Sequence, residues 1–213
     1  MKHLILTLAI MLSLNSLFAQ QKSTIILNKP DPDRGLPLMK ALSLRASARE
    51  FGTKEISIID LSDLLWAANG INRPEENKRT AASALNAQDI DIYVVTKEAI
   101  YFYDPAKNIL QQAAKGDHRR ELASSQENFA TVPLFLLLVS DLSRFSRGDD
   151  AKLLEMANID AGIVAQNIML FCASEGMLAR PRAWMEKDKL REILQLKDKQ
   201  HPILNIAISY KEQ

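Results

Sequence analysis

Arg45-Ala46-Ser47-Ala48-Arg49 places two guanidinium groups four residues apart with a hydroxyl between them. Such a fork can hold a phosphate: each arginine offers parallel charge-assisted bonds to phosphate oxygens, and the serine adds a further donor. In an extended segment alternate residues share a side, so all three could face one ligand, whereas a helix would turn Ser47 away. The same five residues also read as two solvated arginines at a helix end, where the helix dipole favours them. A second cluster, Arg79 to Gln88 (RTAASALNAQ), sets small residues beside Ser83, Asn86 and Gln88. Small residues let a backbone approach a ligand, and the amides offer a heterocycle both donors and acceptors. An ordinary polar loop has the same composition. A third cluster, Asp160-Ala161-Gly162 with Gln166-Asn167, lies within an apolar stretch, where buried amides need partners in the backbone or at an interface.

Other chemistries lack their residues. Beyond the first segment only His118 and His201 remain, with no cysteine or acid at ligand spacing, so a metal centre is not expected. There is no Gly-x-Ser-x-Gly elbow, no Walker loop and no Gly-x-Gly-x-x-Gly fingerprint. Residues 1–19 combine a short basic start, the apolar run LILTLAIMLSL and a small residue at Ala19, which reads as a secretory signal peptide; a membrane anchor is the alternative for the same run. The mature chain is therefore expected to be exported, periplasmic or secreted, without a stable membrane anchor. Of 27 Lys and Arg only Lys2 lies in that segment, leaving 26 bases against 26 acids. A neutral balance argues against a nucleic-acid partner. The single cysteine, Cys172, sits in the apolar IMLFCAS and reads as a buried thiol.

These residues must be positioned by a domain over 36–213, reached through an arm over 20–35 that is rich in Pro, Asp and Gly. Helical spacing begins at Leu38. SIIDLSDLLWAANGI reads as a helix capped by Asp60 and ended by Gly70. IDIYVV (90–95) is a strand, and 99–113 adds two more about the turn at Asp104–Asn108. A polar helix is expected around 118–128. VPLFLLLVSD (132–141) is continuously apolar, as a central strand buried on both faces is. Residues 149–175 form one helix of roughly 40 Å, longer than a small domain needs. A helix at 188–196 and a strand at 202–210 complete an α+β order.

Taken in order, four segments resemble the nitroreductase-like flavoprotein family, nearest its azoline dehydrogenase branch. LRASAREF is similar to the family's Arg-x-Ser-x-Arg element and LSDLLWAANGINRP to its following helix. RTAASALNAQ is similar to its Ser-x-x-Asn-x-Gln loop, and DAGIVAQNIMLFCASEGM to its long helix with a glycine end. The resemblance implies a three-layer α/β/α fold with a mainly antiparallel sheet, a homodimer, and FMN bound where two protomers meet. It implies that Arg45, Ser47 and Arg49 hold the phosphate and ribityl end. Ser83, Asn86 and Gln88 would reach the ring or ribityl hydroxyls. The chemistry would then be ping-pong hydride transfer through the flavin, from a donor such as NAD(P)H to a small organic acceptor.

The chain departs from that pattern in three places. Ala82-Ser83 stands where the family has Pro-Ser, and Gln88-Asp89-Ile90 where it has Gln-Pro-aromatic. Ala183-Trp184 occupies the place of one or two glycines, so Trp184 either stacks on a flavin or fills its site. The end ISYKEQ lacks the usual basic phosphate contact, leaving Lys211, Arg180 or Arg182 as substitutes. A non-enzymatic dimeric relative that has lost cofactor or substrate binding is the second reading.

Overall fold

The computed structural model describes residues 23–212; the segment read as a signal peptide lies outside them. In chain order come β1 (Thr24–Ile26), α1 (Leu38–Leu44), α2 (Ile58–Asn69), β2 (Ile71–Arg73) and β3 (Lys78–Arg79). A meander of β4 (Ile90–Val95), β5 (Ala99–Asp104) and β6 (Ile109–Lys115) follows. Then come α3 (Arg119–Ala123), β7 (Leu134–Asp141), α4 (Asp150–Ser174), β8 (Met177–Arg182), α5 (Lys187–Ile193) and β9 (Gln200–Tyr210). Seven strands make one sheet in the order β1-β6-β5-β4-β7-β9-β8, antiparallel at each pairing. β2 and β3 form a separate ribbon.

β7 lies inside the sheet between β4 and β9, as its unbroken apolar run requires. Its side chains alternate between two cores. Leu136 and Leu138 join Leu64, Leu65 and Ala68 of α2 and Val164 and Ile168 of α4. Phe135, Leu137 and Val139 face the other way, toward Leu122 of α3, Phe129 and Leu190 of α5. The result is an α/β/α sandwich, and burying each such side chain contributes about 1.5–3 kcal/mol.

α4 is 25 residues long, about 37 Å at the helical rise. The Asp149 carboxylate accepts from the Lys152 amide at its start. Past its end, Gly176 takes φ +68, a left-handed position that glycine adopts without strain. Its inner face is apolar and buried, while Ile159 is 58% exposed. Leu38, Met39 and Leu42 of the adjoining α1, and Ile58 and Ile59 of α2, are exposed as well.

Several local expectations are corrected. Ser57, not Asp60, caps α2 by accepting from the Asp60 amide; this frees the Asp60 carboxylate for Arg34 and the Tyr210 hydroxyl. The polar helix near 118–128 is only α3, because Ser124 at φ 51 breaks it before a 3-10 turn at Glu127–Phe129. β8 was not expected at all: Met177-Leu-Ala-Arg-Pro-Arg182 lacks strand alternation, and Pro181 is tolerated because β8 is the sheet's edge. The arm ties into the domain at two points. β1 pairs with β6, and Arg34 binds Asp60, Asp63 and Glu175 together. Burial pulls the Arg34 pKa down, but those three carboxylates outweigh it and raise it.

Candidate functional site

Arg45 ends α1 with φ −58 and ψ 120, so the chain turns from helix to extended backbone there. The segment runs beside β8, with the Ala48 amide donating to the Ala179 carbonyl at 3.0 Å. Arg45, Ser47 and Arg49 thus lie on non-helical backbone. Among the described residues their side chains have no hydrogen-bond or ion-pair partner. Most arginines of the fold differ: Arg34, Arg119 and Arg144 bind carboxylates, and Arg79 binds Gln88 and the Asn69 carbonyl.

Arg49 opens into a concavity of about 500 Å³, lined also by Ala48, Phe51, Leu178 and Lys211, with Glu50 and Glu212. A neighbouring hollow of about 590 Å³ shares Gly52, Lys211 and Glu212 and adds Lys54, Gly176 and Tyr210. Gly52 is required here, since a Cβ would lie 2.7 Å from the Tyr210 carbonyl oxygen. Lys54 stands 5.0 Å from the Tyr210 ring centroid. This is a set of uncommitted cations around open space of ligand size.

The other substitutes differ in availability. Arg180 donates to the Ala48 carbonyl at 3.3 Å and so lies beside the fork, on the side facing Phe129. Arg182 has no donor left for a phosphate, which corrects its place among the candidates. It binds the Leu122 and Ala123 carbonyls, the Asn205 amide oxygen and Gln126, with Nε also on Gln126. Its guanidinium also sits 4.3 Å over the Phe129 ring. Burial and the neighbouring Arg180 push its pKa down to about 10. Trp184 is 64% exposed, its indole donating to the Ser125 hydroxyl.

The loop of Ser83, Asn86 and Gln88 lies elsewhere. It leads into β4, where Ile90 pairs with Ser140 at one end of β7. The fork instead hangs from Ala179, which registers through Ile208 with Leu134 at the other end. Six strand residues, about 20 Å along the strand, separate the two within one chain. Leu85, Asn86 and Gln88 hold positive φ of 54, 53 and 49, a conformation costing roughly 1–2 kcal/mol at a non-glycine residue. Bonds from three sides hold it. The Asp160 carboxylate accepts from the Ala84 amide, and Ser83 Oγ accepts from the Gln88 amide. Gln88 Oε1 accepts from Arg79 while its Nε2 donates to the Asn77 carbonyl. Gln88 therefore braces the loop rather than projecting from it, whereas Asn86 is exposed.

Arg34, Lys54 and the meeting of Asp89 with Asp160 were not anticipated. Only Asp89, as a departure from the motif, and Asp160, as a polar residue in an apolar run, carried a signal. On α4, Ile163 is half-buried and Ile168 is fully buried in its own chain's core.

Residues 42–210 match the nitroreductase family. Two relatives are each named a putative nitroreductase. The one from Methanocaldococcus jannaschii is 26% identical over 197 residues, 88% of this chain and 98% of its own. The other, a crystal structure from Ralstonia eutropha, is 34% identical, covers 89% of this chain and 90% of that one, and has a TM-score of 0.82. A chain of the E. coli microcin synthetase complex McbBCD is 18% identical with a TM-score of 0.70, over 92% of this chain and 78% of that one, a likeness of fold alone.

Proposed function

Because the chain belongs to the nitroreductase family, we propose that it is an exported, homodimeric oxidoreductase that binds FMN between two protomers. FMN supplies hydride uptake and release when bound, with NAD(P)H as the electron donor and a small organic molecule as the acceptor. The observation that carries this reading is the uncommitted trio Arg45, Ser47 and Arg49 beside the concavity of Arg49 and Lys211. Arginines without an acid partner among the described residues, one of them facing open space, fit a dianionic phosphate through charge-assisted bonds.

The rest of the site follows from the separation within one chain. The fork of one protomer and the Ser83–Gln88 loop of another can flank one ligand, which a single chain does not allow. The exposed apolar residues of α1, α2 and α4 supply the surface for that pairing. Asn86 then orients the ligand through its exposed amide, while Gln88 and Ser83 keep the loop in shape. The export reading rests on residues 1–19. Placement near the azoline dehydrogenases rests on the four motifs, with the fold likeness to a microcin synthetase chain beside them.

The test is a titration of the mature protein with FMN and with riboflavin, which lacks the phosphate. FMN binds more than tenfold tighter. Arg49→Ala weakens FMN by about 1.5–3 kcal/mol, the usual worth of a hydrogen bond to a charged group, and leaves riboflavin unchanged. Equal affinity for the two flavins would refute the assignment of the fork.

A further inference from the structure

Beneath the Ser83–Gln88 loop two acids meet that lie far apart in the sequence. Asp89, at the entry to β4, is fully buried, and Asp160 on α4 is 2% exposed. Asp160 lies near enough to Asp89 to raise its pKa. The Ser140 hydroxyl of β7 donates to Asp89 Oδ2 at 2.5 Å, and the Ala84 amide donates to both oxygens of Asp160. Among the described residues Asp89 Oδ1 is buried without a hydrogen-bond partner. One proton between the carboxyls supplies it; with none, two like charges are buried side by side, which is strongly unfavourable.

Among the described residues, the two arginines that bind Gln88 of this loop are both committed elsewhere. Arg144, just past β7, feels the Asp89 charge, and it is committed to Asp91 at 2.6 Å and to the Gln88 carbonyl at 2.9 Å, with Asp141 at 3.7 Å. Arg79 of β3 is held by Gln88 and the Asn69 carbonyl. Asp160 is also the anchor from α4 for a loop with three left-handed residues, so whatever disturbs it releases strained backbone.

We propose that Asp89 and Asp160 share one proton and form a pH-sensitive clasp: the protonated pair holds the Ser83–Gln88 loop on α4, and loss of the proton loosens that loop and weakens flavin binding. The second half rests on the FMN reading above; the first does not. Burial, then the Asp160 charge, push the Asp89 pKa up to about 7, against the pull of the Ser140 hydroxyl. An unfolded aspartate loses its proton near pH 4. The protonated pair's contribution is therefore full below about pH 4 and is lost as pH rises through about 7.

The proposal makes the two acids positioning residues, and its test reads the loop and the ligand separately. Hydrogen exchange at the Ala84 amide is measured in the flavin-free mature protein at pH 6 and pH 8, for wild type, Asp89→Asn and Asp160→Asn. Either asparagine can donate to the remaining carboxylate at every pH. Wild-type protection falls about tenfold more than that of either variant, one proton allowing up to tenfold per pH unit. FMN affinity follows the same pattern across the three proteins. Parallel pH dependence of Ala84 protection in wild type and variants overturns the clasp, and either variant alone suffices for this comparison should the other not fold. Protection that follows the pair in a protein that binds no FMN upholds the clasp and removes the flavin reading.

Discussion

Replacing Arg182 by alanine separates a structural arginine from a ligand-binding one. The side chain is 6% exposed and donates to the Leu122 carbonyl at 2.7 Å, the Ala123 carbonyl at 2.9 Å and Asn205 Oδ1 at 3.0 Å. Truncation strands those three buried acceptors, at about 1–3 kcal/mol each. Two effects reduce the sum. Water can enter the vacated space and bind some of them, and Gln126, its fourth partner, is exposed and can turn to solvent. The variant also removes a buried cation with no acid partner among the described residues, which recovers part of its desolvation cost. The net loss is about 2–4 kcal/mol, or about 5–15 °C in melting temperature for a domain of this size. Urea denaturation measures it as a lower midpoint at unchanged slope. FMN affinity, titrated where both proteins are folded, stays within about threefold, under 1 kcal/mol. A variant of unchanged stability that binds FMN more than tenfold more weakly would refute the structural role and return Arg182 to the phosphate site.

Ile159→Glu places a charge on an exposed apolar helix face and should shift the protein from dimer to monomer without unfolding it, as sedimentation velocity will show. Ile168→Glu buries the same charge in the chain's own core and should unfold it; folded monomers from both variants would put the interface elsewhere. In a Trp66→Phe background Trp184 is the sole indole. Strong quenching of its fluorescence on adding FMN supports stacking at the site, while an unchanged signal at saturating flavin favours the non-enzymatic relative.

What could be read without coordinates was what neighbours along the chain decide. The apolar run at β7 has no polar face, so it must be a strand covered on both sides. The meander at 90–115 is marked by a turn at Asp104–Asn108, and α4 by an acid at its start and a glycine past its end. Each signal lies within a few residues of the element it defines. β8 escaped for the same reason, because it is a strand only through its pairing with β9.

The candidate site divides along the same line. Residue types and spacing mark Arg45, Ser47 and Arg49 as a phosphate fork, but they mark Arg182 equally well. What separates them is that α3, Gln126 and β9 use up every donor of Arg182, while among the described residues nothing engages the fork. Gln88 looks like a ligand by motif and is a brace by contact. Asp89 and Asp160 stand 71 positions apart, each marked by its own neighbours but not as a pair, and only the packing of α4 over the entry to β4 brings them together. Propensity, capping and periodicity act over a few residues, and so the sequence carries them openly. The commitment of a charged or polar side chain depends on which distant groups surround it after folding, and tertiary structure alone decides that.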